Sequence, residues 1–263
     1  MLGARIATAA IALPCVFFLT VYAPVSLFCA GILLMTAAGL YEYFRLIDLQ
    51  CSLSWPFGLS WGVLVALAVV TSNDYLVLPL FVAGFVATFI ATLRDGIPHR
   101  SIRTVSLFSL GVVYVGLLLP FLVLIRLGED GSNWVLFVLL IAMLGDTGGY
   151  VVGRTLGRRK LLPSISPGKT VEGAVGSLLG SLGAWWIAGH WLLPSHAAPQ
   201  LLVLAMVGGV LAQLGDLCES ALKRACGVKD SGRLFPGHGG VLDRIDSLLF
   251  LAPFIYYGGQ LVR

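Results

Sequence analysis

The sequence has 263 residues, of which 58% are hydrophobic and 11% charged, with a formal net charge of +4. Soluble domains carry about 25% charged residues, so a mean hydropathy of +0.93 excludes an ordinary soluble domain and points to a membrane protein. The five cysteines, Cys15, Cys29, Cys51, Cys218 and Cys226, form no CxxC pair, and the four histidines are scattered. That argues against a disulfide framework and against a His/Cys zinc site.

A helix needs about 20 apolar residues to cross a bilayer. Apolar runs bounded by Pro, Gly and charges predict nine spans, at about 5–22, 25–44, 59–72, 75–93, 104–125, 134–153, 171–192, 200–222 and 242–260. The opening run holds one arginine and is followed at once by a second apolar run. It is therefore read as a retained span and not as a signal peptide. The third run is short for a full crossing. The expected fold is all-α and polytopic.

Nine spans place the N-terminus and the loops near 45–58, 94–103, 154–170 and 223–241 on one side. Counting Arg244, just past the last boundary, that side holds 15 of the 17 Lys and Arg residues; only Arg126 and Arg263 fall opposite. Basic residues accumulate in cytoplasmic loops, so the N-terminus is expected in the cytoplasm and the C-terminus outside. By chemistry the chain divides into N-terminal transmembrane helices, 1–100, which read as hydrophobic filler, and a C-terminal catalytic region, 101–263.

Three segments on the cytoplasmic side carry unusual polarity. In "GDTGGYVVGRTLGRRKLLPSISPGKTVEG", residues 145–173, Asp146 lies inside an apolar helix. Helix packing explains the glycines but not the acid, which costs about 2.5–3.5 kcal/mol at mid-span. The "SPGKT" run fails as a Walker loop, because Pro163 stands where the first Gly belongs. It reads as a helix start, with Ser166 as cap, Pro167 in the first turn, and Thr170 and Glu172 following. Open N–H groups there attract phosphate, and Lys169 adds a charge.

In "QLGDLCESALKRACGVKDSGRLFPGHGG", residues 213–240, Asp216, Ser220 and Lys223 fall on one helical face, with Glu219 between. Lys229, Asp230 and Arg233 follow in a polar loop. Finally Asp243 and Asp246 stand three residues apart at the start of the last helix. The helix dipole favours acids there by about 0.3–1 kcal/mol each, which covers one acid and not the set. Asp146, Asp216, Asp243 and Asp246 would repel one another without a cation. Hard divalent ions suit such oxygen donors, and Mg2+ keeps phosphate oxygens and water as further ligands. The residues thus point to a Mg2+-dependent phosphoryl- or nucleotidyl-transfer site open to the cytoplasm. One substrate is water-soluble and the other arrives from the lipid.

The stretch "SALKRACGVKDSGRLFPGHGGVLDRIDS", Ser220 to Ser247, closely resembles the signature of phosphatidate cytidylyltransferases, the CDP-diacylglycerol synthases. The "GDTGGYVVGRTLG" and "SPGKTVEG" runs are similar to family segments too. The resemblance implies that CTP and phosphatidic acid give CDP-diacylglycerol and pyrophosphate in phospholipid synthesis. It also implies a homodimeric enzyme of the cell's inner membrane that uses Mg2+ and allows for a monovalent cation such as K+. No nucleic-acid partner is expected. Asp216, Asp243 and Asp246 would then hold metal, with Asp146 nearby, and Lys223 would join the first three in catalysis. Lys169, Thr170, Ser220, Arg224, Lys229, Asp230, His238 and Arg244 would bind substrate. A CDP-alcohol phosphatidyltransferase is disfavoured, because its acids are spaced four apart and its upstream pattern is absent. An ion transporter would call for broken helices and an internal repeat, and no repeat is visible.

Overall fold

The computed structural model describes residues 13–48, 51, 53–94, 96–196, 198–232 and 239–262. A helix occupies most of the described part of every segment in which a span was expected. In chain order these are α1 at 13–21, α2 (Val25–Ile47), α3 (Trp55–Val70), α4 (Asp74–Leu93), α5 (Pro98–Gly111), α6 (Phe121–Leu127), α7 (Gly131–Thr155), α8 (Val171–Ile187), α9 (Ala198–Ala225) and α10 (Leu242–Gln260). A π-helical stretch, Val112–Leu117, joins α5 to α6 just before Pro120, which has no N–H to continue the ladder. A second π turn, Ala188–Leu192, extends α8. Among the described residues five helical segments are long and apolar enough to cross a membrane, and α3 is a shorter apolar helix. This is a multi-pass helical membrane protein.

Two expectations need correction. "SPGKT" is not a helix start. Ser166–Thr170 forms a strand, β2, paired antiparallel with β1 (Lys160–Leu162). Pro167 and Gly168 are poor helix formers, and the backbone of Thr170 is extended, at φ −124° and ψ 157°. Thr170, not Ser166, is the N-cap: its hydroxyl accepts from the Gly173 N–H at 3.0 Å. Among the described residues the fold is therefore helical with one small hairpin, and α8 begins at Val171.

The chain forms two compact units. The first holds Pro24–Leu124 and Asp230–Ile245. Its interior is aromatic: Tyr43 and Phe44 of α2 are fully buried, and Phe44 meets Phe108 with ring centroids 4.9 Å apart. The polar ends of these rings find backbone partners, as buried Tyr and Trp must. Tyr43 donates to the Leu107 carbonyl at 2.8 Å and Trp61 to that of Leu80 at 3.1 Å.

The second unit holds Leu13–Ala23, Ile125–Lys229 and Asp246–Arg263. Here α7 and α8 touch backbone to backbone. A Cβ on Gly148 would overlap the Gly176 carbonyl, and one on Gly180 that of Leu144. Lipid tails supply no hydrophobic drive between helices, so small residues that permit such approach carry the packing. The glycines of "GDTGGYVVG" are thus packing residues, and their crossing sets the wall of a cavity.

Candidate active site

A cavity of about 580 Å3 opens in the second unit, beside the crossing of α7 and α8. Its wall is Gly145, Gly149, Gly153 and Gly173, with Asp146 and Arg154 from α7, Lys169 and Thr170 from β2, and Gln213 and Asp216 from α9. Two of the four acids singled out in the sequence therefore face one space. Lys169 Nζ lies 2.7 Å from Asp216 Oδ2, with the two side chains 28% and 29% exposed. Ser220 Oγ donates to Asp216 Oδ1 at 3.5 Å.

Local folding explains how β2 presents Lys169. The Glu172 carboxylate accepts from the backbone N–H of Arg158 at 3.0 Å and of Arg159 at 3.2 Å. The Val171 N–H donates to the Arg159 carbonyl at 2.9 Å. These bonds clamp the base of the hairpin to the first turn of α8. Arg224 secures the other end, donating from Nε to the Ile165 carbonyl at 3.2 Å and from its guanidinium to Val228 O at 2.8 Å. With Val171 and Gly173 N–H already bonded, the start of α8 offers fewer open donors than the sequence suggested. Lys169 is a charged donor on the cavity wall.

The other expected residues are distributed as follows. Lys223 pairs with Glu219, one turn back on α9, where Glu219 is fully buried. Lys229, Asp230 and Arg244 are exposed. His238 and Arg233 lie outside the described residues. The Asp246 carbonyl packs against Gly215, where a Cβ would overlap it, immediately beside Asp216 in sequence. The Asp246 carboxylate accepts from the Ser247 N–H at 2.7 Å.

Asp243 belongs to the first unit and stands one turn before Asp246. Its Oδ2 accepts from Ser231 N at 3.0 Å, Ser231 Oγ at 2.8 Å and Gly240 N at 2.8 Å. The bond to Gly240, just before the helix, ties the entering chain to the first turn of α10. Sequence reasoning missed the partner of this arrangement. Glu42 of α2, 6% exposed, accepts from Val241 N at 3.0 Å, Leu242 N at 2.8 Å and Ser231 Oγ at 3.0 Å. The first 100 residues are accordingly not filler: one of them caps the last helix.

Among the described residues no group of three or more His, Cys, Asp or Glu side chains is gathered for a metal ion. Two carboxylates on one cavity wall still suit Mg2+, which takes one or two from the protein and the rest of its oxygens from phosphate and water.

The fold and cavity define a class: a multi-pass helical membrane protein with a lysine–carboxylate site built between its helices. Comparison with known proteins refines it. The sequence pattern of the cytidylyltransferase family matches residues 3–262, and the chain belongs to that family. It is 44% identical over 146 residues to a phosphatidate cytidylyltransferase of Staphylococcus saprophyticus, covering 56% of this chain and 55% of that one. It is 42% identical over 156 residues to a phosphatidate cytidylyltransferase of Bacillus subtilis, covering 58% and 57%. A third relative, the uncharacterized protein YnbB of Escherichia coli, is 36% identical over 235 residues, covering 85% and 76%. The chain thus spans little more than half the length of the first two relatives.

Proposed function

We propose that this chain transfers a cytidylyl group from CTP to phosphatidic acid, giving CDP-diacylglycerol and pyrophosphate. The observation that carries the reading is the Lys169–Asp216 pair on the wall of a cavity that Asp146 also lines, in a chain of this family. Two relatives that are phosphatidate cytidylyltransferases suggest the substrates.

In this reaction an oxygen of the phosphatidic acid phosphate bonds to the α-phosphorus of CTP. The bond from that phosphorus to the oxygen bridging to the β-phosphate breaks, and pyrophosphate leaves with the electron pair. The attacking oxygen is already anionic near neutral pH, so no strong general base is needed. The protein's work is positioning and charge neutralisation. Lys169 holds phosphate oxygens, and Thr170, by capping α8, fixes the strand end from which Lys169 projects. Ser220 orients Asp216. Arg224 keeps the hairpin in place, and Lys229, Asp230, His238 and Arg244 serve CTP from the loop and the first turn of α10. Asp216 and Asp146, with Asp243 and Asp246 of α10, would hold Mg2+, which when bound neutralises the phosphates and assists departure of pyrophosphate. Lys223, tied to Glu219, acts beside them.

Nine spans, an N-terminus in the cytoplasm and a site facing the cytoplasm of the cell's inner membrane complete the reading. The basic-residue asymmetry supports them. A homodimer is also part of it, and the mass of the detergent-solubilised protein checks this. The decisive experiment supplies purified protein in detergent–lipid micelles with labelled CTP, phosphatidic acid and Mg2+. Label should enter a chloroform-soluble product, and only when both substrates are present. Folded protein that yields no lipid-phase label refutes the assignment.

A further inference from the structure

Glu42 is a carboxylate buried within an apolar helix, and each of its oxygens accepts from the backbone of a segment about 200 residues away in sequence. Three features show a built arrangement. Both oxygens are matched to N–H groups: Oε1 to Val241, Oε2 to Leu242. The chain makes room for the carboxylate with glycine, since a Cβ on Gly232 or on Gly240 would overlap it. The Ser231 hydroxyl also lies within bonding distance of both Glu42 Oε2 at 3.0 Å and Asp243 Oδ2 at 2.8 Å. Next to these, Gly239 has φ +78° and its Cβ position is filled by the Asp243 carboxylate. Two acids thus share one hydroxyl at the start of α10, where the helix dipole and four backbone donors (Ser231, Gly240, Val241 and Leu242) offset their repulsion.

We propose that Glu42 is a positioning residue for the transfer reaction, holding Ser231 and the first turn of α10 so that Asp243 keeps its working rotamer. This rests on the reading of Asp243 as a reaction residue given above. The chemistry requires a carboxylate. A glutamine would turn an NH2 group toward Val241 N–H or toward Leu242 N–H and Ser231, placing donor against donor. Aspartate keeps both acceptors and the charge but is shorter by one methylene.

The test measures kcat and KM for CTP and for phosphatidic acid in micelles, per folded molecule, for wild type, Glu42→Gln, Glu42→Asp, Ser231→Ala and Asp243→Asn. Glu42→Gln should lower kcat at least tenfold, with both KM values within threefold of wild type. Glu42→Asp should recover part of the lost kcat. Ser231→Ala should lower kcat by three- to tenfold and keeps the test open where Glu42→Gln does not fold. Wild-type kcat per folded molecule in Glu42→Gln, or in Ser231→Ala where Glu42→Gln does not fold, overturns the proposal. So does a Glu42→Gln loss confined to the yield of folded protein. Wild-type kcat in Asp243→Asn would instead overturn the underlying role of Asp243, and the positioning role with it.

Discussion

Replacing Lys169 with methionine separates a phosphate-binding lysine from a structural one. Methionine keeps much of the stem and removes the ammonium. The ion pair with Asp216 is short, at 2.7 Å, but more than a quarter of each side chain is exposed. At that separation the Coulomb energy in water is about 1.5 kcal/mol, and exposed pairs net about 0.2–1 kcal/mol after ordering the side chains. The expected loss of stability is therefore below about 1 kcal/mol, or about 2–4 °C in Tm for a chain approaching this size. Catalysis should suffer more. A donor aimed at charge that develops during reaction is worth about 2.7–4 kcal/mol, or about 10²–10³ in kcat. The assay is incorporation of labelled CTP into chloroform-soluble product at saturating substrates, alongside thermal unfolding followed by size-exclusion recovery. Lys169→Arg should retain more activity than Lys169→Met. If Lys169→Met turns over within threefold of wild type, Lys169 is no phosphate ligand. If its kcat falls only in step with its folded fraction, the lysine serves the fold alone.

Asp246→Ala should abolish turnover while the protein still inserts and elutes as the wild type does, and near-normal turnover would remove Asp246 from the site. Thr170→Ala removes the cap of α8 and should cost about 1 kcal/mol, read as a Tm lower by about 2–4 °C. Gly180→Val places side-chain atoms on the Leu144 carbonyl and should destabilise by roughly 1–3 kcal/mol or more through overpacking; an unchanged Tm would contradict the close crossing of α7 and α8. Chelation with EDTA should suppress lipid-phase label to background, and added Mg2+ should restore it where K+ alone does not.

The helices were legible because each is a long apolar run with clear punctuation. Segment 171–192 matches α8 with its π turn, and 242–260 matches α10. "SPGKT" was misread because Ser followed by Pro imitates a helix start, whereas its conformation is decided by pairing with Lys160–Leu162. No local pattern announces a strand of three residues. Glu42 escaped for a different reason. Its partners are 199 and 200 residues distant, beyond the reach of any local pattern. The available signal was a carboxylate near the end of an otherwise apolar run, which should raise the question of a distant donor. For Lys223 the helical spacing to Asp216 was correct, but Glu219 at the nearer i−4 position takes the ammonium.

The bond between Glu42 and the start of α10 also has a temporal side. Ribosomes add about 5–20 residues each second, so roughly 10–40 s pass between synthesis of Glu42 and arrival of Val241 and Leu242, 199 and 200 residues later. During biogenesis α2 must carry a carboxylate whose acceptors are unmatched by these donors, and the nascent helix does best with that end kept near water. The first turn of α10 therefore completes the first unit, and a chain interrupted before residue 241 would present quality-control proteases with a polar flaw in α2.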